Sequence, residues 1–315
     1  MNRKEFIKIA AAAAVSAPLR GFGASAGNGN PKVYFTGDIS PEGLLAAYRA
    51  LGFSAKGKVG VKIHSGEPGG HNFLQPDFIK PVVDYVHGTL VECNTAYEGR
   101  RNTTEKHKEL MKEHEWNKYY KVDIMDSEGD TTLDIPNGKI IKKDYVGKHI
   151  NNYDSILVLS HFKGHPMGGF GGALKQLSIG FASSGGKAYI HTAGKTTDMN
   201  DLWNNIPSQE KFIESMADAA SVVHNEFKGN IAYINVMKNM SVDCDCCAKA
   251  EDPCMKDIGI LVAIDKACLD LVYNSSDKGK DHLIERIESR QGTHIIDAAA
   301  SIGFGNSNYE LINID

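Results

Sequence analysis

Several absences narrow what this 315-residue chain can do. No apolar stretch approaches the roughly 20 residues that carry a helix across a bilayer, so the mature protein is expected to have no transmembrane span. Basic residues are not in excess: 35 Lys and Arg stand against 39 Asp and Glu, a net charge of −4, which argues against a general nucleic-acid binder. The richest glycine string fits neither the six-residue dinucleotide fingerprint nor the phosphate-binding P-loop, so nothing points to a nucleotide. No internal repeat or linker divides the chain. The residues from 31 to 315 therefore read as one α/β domain with ample apolar material for a core.

The first 26 residues read as an export signal. Arg3, Lys4 and Lys8 supply a basic start, Ile9 to Ala17 a short apolar stretch, and Ala24-Ser25-Ala26 a small-x-small cleavage site. Arg3-Lys4-x-Phe6-Ile7-Lys8 resembles the twin-arginine class, which exports folded proteins with their cofactors loaded. An exported, periplasmic protein is expected. Removing the leader leaves 31 basic and 38 acidic residues, a net charge of −7.

The centre of the chain is Ser155 to Gly180. Ser155 to Ser160 is a continuous apolar run with serine ends, the pattern of a strand buried on both faces of a parallel sheet. A polar loop follows with His161, Lys163 and His165, then Gly168, Gly169, Gly171 and Gly172. Leu174, Leu177 and Phe181 next mark one face of a helix, with Lys175 on it. Ligands of open α/β sheets bind beyond the carboxyl ends of the strands, and a helix N-terminus favours an anion. His161, Lys163 and His165 are therefore candidate catalytic residues, and the four glycines with Lys175 candidate ligand contacts for a small anion.

Elsewhere strands and helices alternate. Strands are expected over 32–36, 58–65, 89–94, 231–237 and 258–264. Helices are expected over 41–51, capped by Ser40, and over 75–86, 103–117, 208–228, 267–273 and 281–289. Short β segments at 122–125, 131–135 and 139–142, with Asn137-Gly138 between the last two, predict a small β-hairpin insertion around 119–150. The stretch 185–194 reads as extended, and Glu92 to Arg101 as a charged surface turn. The overall class is α/β, a mainly parallel sheet flanked by helices. The loop after 58–65 is another glycine-rich polar one, and if both loops meet at one sheet edge, Lys62, His64 and His71 join the same pocket.

Four of the six cysteines fall within eleven residues: Cys244, Cys246, Cys247 and Cys254. This crowding points to a ligand or redox role. Three chemistries remain open: an iron–sulfur cluster such as 4Fe-4S, zinc or another soft metal, and disulfides or free thiols with no metal. Cys-x-Cys-Cys-x6-Cys matches neither the usual cluster spacing nor paired zinc knuckles. Cys93 and Cys268 read as core residues.

Together these motifs resemble the DUF362 family. The resemblance rests on Ser160 to His165 with Gly168 to Lys175 and Leu177, on Val242 to Cys246, and on Asp257 to Asp265 with Leu269-Asp270-Leu271. It continues through Leu283 to Ile287, Ile302 to Gly305 and Tyr309 to Leu311. Members are often described as iron–sulfur proteins, many with a ferredoxin-like insertion. This sequence has no cysteine in 187–228, where that insertion would fall, so a cluster is implied only through Cys244, Cys246, Cys247 and Cys254. The glycine-rich histidine- and lysine-bearing loop is similar to that of nickel-dependent lactate racemases.

The leading expectation is an exported iron–sulfur redox enzyme or electron carrier that meets a small anionic ligand or a redox partner at the 161–175 loop. The alternatives are an isomerase or lyase working through His161 or His165 with Lys163 and Lys175 as anion clamp, and a protein that captures a metal or ligand without turnover.

Overall fold

The computed structural model describes residues 30–247, 251–262 and 265–315. The leader lies outside the described residues, as do Ala263 and Ile264 at the end of one expected strand.

Strand β1 (Lys32–Thr36) leads into helix α1 (Pro41–Ala50), where Ser40 Oγ accepts from Gly43 N at 3.0 Å as the cap its sequence predicts. β2 (Val59–Lys62), α2 (Pro76–Tyr85) and β3 (Thr89–Glu92) continue the alternation, followed by α3 (Thr104–Glu113), α4 (Trp116–Tyr119) and β4 (Val122–Ile124). β5 (Asp130–Asp134) and β6 (Lys143–Gly147) pair with each other ahead of β7 (Ser155–His161). A second small hairpin, β8 (Lys163–His165) with β9 (Gly169–Gly171), leads to α5 (Ala173–Lys175), which runs into a π-helical turn at Gln176–Gly180. Then come α6 (Ser184–His191), a 3-10 turn (Met199–Asn205) and α7 (Gln209–Glu226). The remaining elements are β10 (Ile231–Met237), β11 (Gly259–Val262), α8 (Asp265–Tyr273), α9 (Lys280–Ser289), α10 (His294–Ser301) and β12 (Glu310–Asn313).

Eight strands form one sheet in the order β12-β1-β11-β10-β7-β2-β3-β4. From β10 to β4 every pairing is parallel, whereas β11 runs antiparallel to both its neighbours. β7 sits inside the parallel part and is buried along its whole length. Its side chains alternate between two cores: Ile156 and Val158 pack with Phe181 and Met216 on one face, Leu157 and Leu159 with Leu44 and Ile79 on the other. Burial on both faces is why the run shows no apolar–polar alternation. No helix among the described residues is long and apolar enough to cross a membrane.

Three expectations are corrected. The stretch 185–194 is not extended: residues 184–191 are helix α6, nucleated by Ser183 Oγ, which accepts from Gly186 N at 3.0 Å. The strand expected over 139–142 is absent because Asp218 accepts the backbone N–H groups of Lys139 (2.7 Å), Ile140 (2.6 Å) and Ile141 (2.9 Å), so pairing resumes only at β6. Residues 122–124 join the main sheet beside β3 instead of the hairpin. Helix α10 and edge strand β12 lie beyond the last elements expected from periodicity.

Asp144 on β6 is fully buried, and neither carboxylate oxygen has a hydrogen-bond partner of normal geometry. Burial pushes its carboxyl from 3.8 to about 8, against a partial counter-pull from the Tyr145 backbone and from Lys187. A raised carboxyl stabilises fully only below the unfolded value, and its contribution is lost as pH rises towards the folded one. Asp144→Asn should therefore melt higher than wild type at pH 8, by about 5 °C or more, with the gap closing towards pH 4.5. Parallel melting curves for the two proteins across that range would show that the carboxylate has found a partner in solution.

Candidate functional site

Parallel pairing places the carboxyl ends of β2, β3, β7 and β10 at one edge of the sheet. The segments leaving those ends, around 63–72, 93–103, 162–172 and 238–247, are consequently neighbours there, and the cysteines sit on the last of them.

One carboxylate joins two of these segments. Asp245, between Cys244 and Cys246, accepts from Lys163 Nζ at 2.7 Å and from His161 Nδ1 at 2.9 Å, all three side chains being almost completely buried. His161 Nε2 faces the Lys238 carbonyl at 2.6 Å, so both ring nitrogens are turned to acceptors. Burial opposes charge on Asp245, but His161 and Lys163 outweigh it and hold the carboxyl well below its usual range. Next to Lys163 lies Gly164, whose N donates to the Ser241 carbonyl at 2.9 Å. A Cβ there would stand 1.9 Å from the Val242 carbonyl oxygen, so only glycine lets β8 press against the cysteine segment.

Beside this clamp opens a cavity of about 420 Å³. Its inner wall is a buried charge chain. Lys62 Nζ meets Glu92 Oε2 at 2.7 Å, Arg101 Nη1 lies 3.6 Å from Glu92 Oε1, and Arg101 Nη2 meets Glu67 Oε1 at 2.7 Å. Burial disfavours the Glu92 carboxylate, yet Lys62 and Arg101 keep it well below its usual range. Lys175, Lys187 and His191 also line the cavity, and Trp203, 60% exposed, stands at its rim. His191 Nδ1 donates to the Lys187 carbonyl at 2.7 Å. Burial brings its pKa down to about 4, so at neutral pH the ring is uncharged with its lone pair on Nε2.

His165 reaches the same cavity from the other side. Its Nδ1 lies 3.1 Å from Met167 N and 2.8 Å from Gly168 N, and its Nε2 lies 3.6 Å from Cys246 Sγ. The donor atoms of His165, Cys244 and Cys246 all fall within 4.8 Å of one another, a spacing suited to a metal ion. Burial pushes the Cys244 thiol well above its usual range. Cys246 is pulled down by its hydrogen bond with Cys244, but Cys247 and burial outweigh that and leave it raised. Cys247, half buried, is lowered by its hydrogen bond with Cys246.

The expected site residues divide accordingly. Lys62, His64, His165, Lys175, Cys246 and Cys247 line the main cavity. His161 and Lys163 do not: they hold Asp245, and with His64, Gly171, Gly172 and Lys175 they border only a small crevice beside it. His71 is exposed and faces Asp243 and Cys247 in a separate crevice. Cys254 stays outside the thiol group, donating instead to the Met240 carbonyl at 3.2 Å. None of the four glycines lines the cavity. Gly168 and Gly169 pack against Gly292, and a Cβ on Gly172 would stand 2.5 Å from Asp265 Oδ1. The helix N-terminus is likewise taken, because Asp265 accepts from Ala173 N at 2.7 Å and Leu174 N at 2.8 Å. Arg101 is buried, not part of a surface turn; only Arg100 behaves as one, pairing with Glu113 in solvent. Sequence reading did not pair Asp245 with His161 and Lys163, and it passed over Lys187 and His191, whose i,i+4 spacing carries meaning only once 184–191 is a helix.

Fold and site together define a mainly parallel α/β protein with a thiol–imidazole group at the carboxyl edge of its sheet. The chain belongs to the DUF362 family, described as a domain of unknown function, whose model matches residues 59–273. No curated protein matches it. Among solved structures, it is similar to the lactate racemase apoprotein from Thermoanaerobacterium thermosaccharolyticum, at 16% identity over 68% of this chain and 53% of that one, with a TM-score of 0.39. A Thermotoga maritima protein solved by structural genomics matches at 13% identity over 81% of this chain and 58% of that one, also with a TM-score of 0.39. The chain spans little more than half the length of either, and at such scores neither likeness carries an argument about the site.

Removing the Asp245 carboxylate leaves the buried Lys163 ammonium unpaired and His161 Nδ1 without its partner. Asp245→Ala should cost about 3–5 kcal/mol in urea unfolding, whereas pairing it with Lys163→Met should recover part of the loss. A single-variant cost below about 1 kcal/mol would mean that the clamp is open in solution.

Proposed function

We propose that the protein holds one soft metal ion through His165, Cys244 and Cys246 and performs acid–base chemistry on a small organic anion in the adjoining cavity. The observation that carries this reading is the convergence of those three donor atoms within 4.8 Å, with His165 and Cys246 on the wall of a cavity lined by Lys62, Arg101, Lys175 and Lys187. Ligands of a single tetrahedral ion, at about 2.3 Å for sulfur and about 2.0 Å for nitrogen, stand roughly 3.5–3.8 Å apart, and the Cys246–His165 separation is 3.6 Å. Ligands of a multi-iron cluster bind different irons and stand further apart. That spacing, and the absence of Cys254 from the group, favour one ion over the iron–sulfur cluster expected from four cysteines.

Three protein ligands leave a fourth position open, the pattern of catalytic rather than structural zinc. Bound there, the ion would supply Lewis acidity towards a substrate oxygen. The chain's own residues supply the rest. Lys175 attracts the anion, His191 Nε2 offers the lone pair that takes a proton, and Asp245 with His161 and Lys163 holds the thiols in place. Proton transfer at a carbon beside a carboxylate, the work of an isomerase or lyase, suits this set. The basic leader supports an exported setting, where a bound ion would also protect Cys244 and Cys246 from disulfide formation.

Metal and acid-labile sulfide analysis of protein purified without oxygen tests the reading. One metal per chain without sulfide is expected, lost in Cys246→Ser and retained in Cys254→Ser; stoichiometric iron and sulfide, or metal that survives Cys246→Ser, would overturn it. Because both thiols are raised and must ionise to bind, apparent metal affinity should climb with pH between 6 and 7.5, on the order of 100-fold per unit for two protons released. Chelator competition measures that slope, and a flat profile would contradict thiolate ligation.

A further inference from the structure

The cavity holds two cations that the fold does not neutralise. Lys62 and Arg101 have Glu92 and Glu67. Lys187, only 7% exposed, has no carboxylate within ion-pair distance among the described residues, feels Asp126 and Glu92 only at longer range, and donates to the Ala182 carbonyl at 2.6 Å. Lys175 has no hydrogen-bond or ion-pair partner among the described residues, yet it lines both the cavity and the adjoining crevice. Enclosed ammonium groups without counter-charge are costly to maintain, and persist where a ligand completes them.

Their placement sets the shape of that ligand. Lys175 borders the crevice beside His161 and Lys163 as well as the cavity, its Cδ 3.8 Å from where a Cβ on Gly171 would stand. Lys187 does not border that crevice; it is tied to the Ala182 carbonyl, next to the Phe181 carbonyl that accepts from Cys93 Sγ at 3.3 Å. Both influence His191. The cavity wall also includes Ala96, Pro166, Met167, Ile179 and Leu202, suited to a short carbon chain.

We infer that the ligand is a short organic dianion with its two anionic groups separated by carbon, one held by Lys175 beside the thiols and the other by Lys187. This deepens the proposed function by naming its substrate class, but binding at the two lysines does not require the metal.

Calorimetry on metal-free Cys246→Ser protein tests it with succinate, glutarate, butyrate and glycerol 3-phosphate. A dicarboxylate should bind at least about tenfold more tightly than butyrate, and Lys175→Gln or Lys187→Met should each remove that advantage, as loss of a charge-assisted contact does. Lys175→Gln changes a partly exposed side chain, so it remains informative if Lys187→Met fails to fold. Equal affinity for succinate, glutarate and butyrate, no binding of any dicarboxylate, or Lys175→Gln that binds like its parent would overturn the inference. So would a preference for glycerol 3-phosphate, whose two charges sit on one group. Metal analysis of wild-type protein is independent of these outcomes, so failure of the metal centre and failure of the dianion site are distinguishable.

Discussion

Everything at the working edge of this protein hangs on the Asp245 carboxylate. With Lys163 at 2.7 Å and His161 at 2.9 Å, it fixes residue 245 against the end of the central strand and thereby fixes Cys244 and Cys246 on either side of it. A buried ion pair of this kind, here Asp245 with Lys163, adds little net stability, because desolvation consumes much of the Coulomb attraction. Its value is positional. Two sulfurs on an irregular segment reach one histidine nitrogen only if the backbone between them cannot wander.

Glycine serves the same end. Gly164 admits the Val242 carbonyl, and Gly172 admits the Asp265 carboxylate that closes the N-terminus of α5. A Gly-rich loop before a helix reads as an anion cradle, but here the anion is the chain's own Asp265, held also by Asn235 Nδ2 at 2.8 Å. An external anion, on the proposed reading, would be met by side chains instead, Lys175 on α5 and Lys187 on α6. Hydrogen bonds donated to an internal carboxylate anchor α5, and the π turn that follows carries Gln176, Ile179 and Gly180 on the cavity wall.

Much of this was legible in the sequence, for identifiable reasons. β7 announced itself because double burial leaves an unbroken apolar run, α1 because the Ser40 cap and 3.6-residue periodicity agreed, and α7 by its periodicity. Proximity of the loops after β2 and β7 followed from parallel pairing. What escaped depended on contacts between distant segments. Asp218 captures three backbone N–H groups more than 75 residues away in sequence, erasing a strand that local pattern favoured. Arg101 looked like surface until Glu67 and Glu92 closed round it. His161 and Lys163 carried the right chemistry for a catalytic pair, and only the position of Asp245 shows that their charge is already spoken for.

Charge also explains why thiols, lysines and cavity belong together. The chain Lys62–Glu92–Arg101–Glu67 is self-neutral, so it imposes no net charge on a ligand. Raised thiols are neutral in the absence of metal, and a divalent ion that displaces two thiol protons leaves the site as neutral as before. Lys175 and Lys187 therefore remain, in either state, cavity lysines without an ion-pair partner among the described residues. A dianion cancels them whether or not metal is present, and once cancelled they cease to depress His191, whose lowered pKa owes part of its shift to both lysines. Binding of the anion would thus bring the base closer to the pH at which proton transfer is efficient. In the proposed reaction, the two lysines that select the ligand would also release their share of the depression on His191, burial accounting for the larger share.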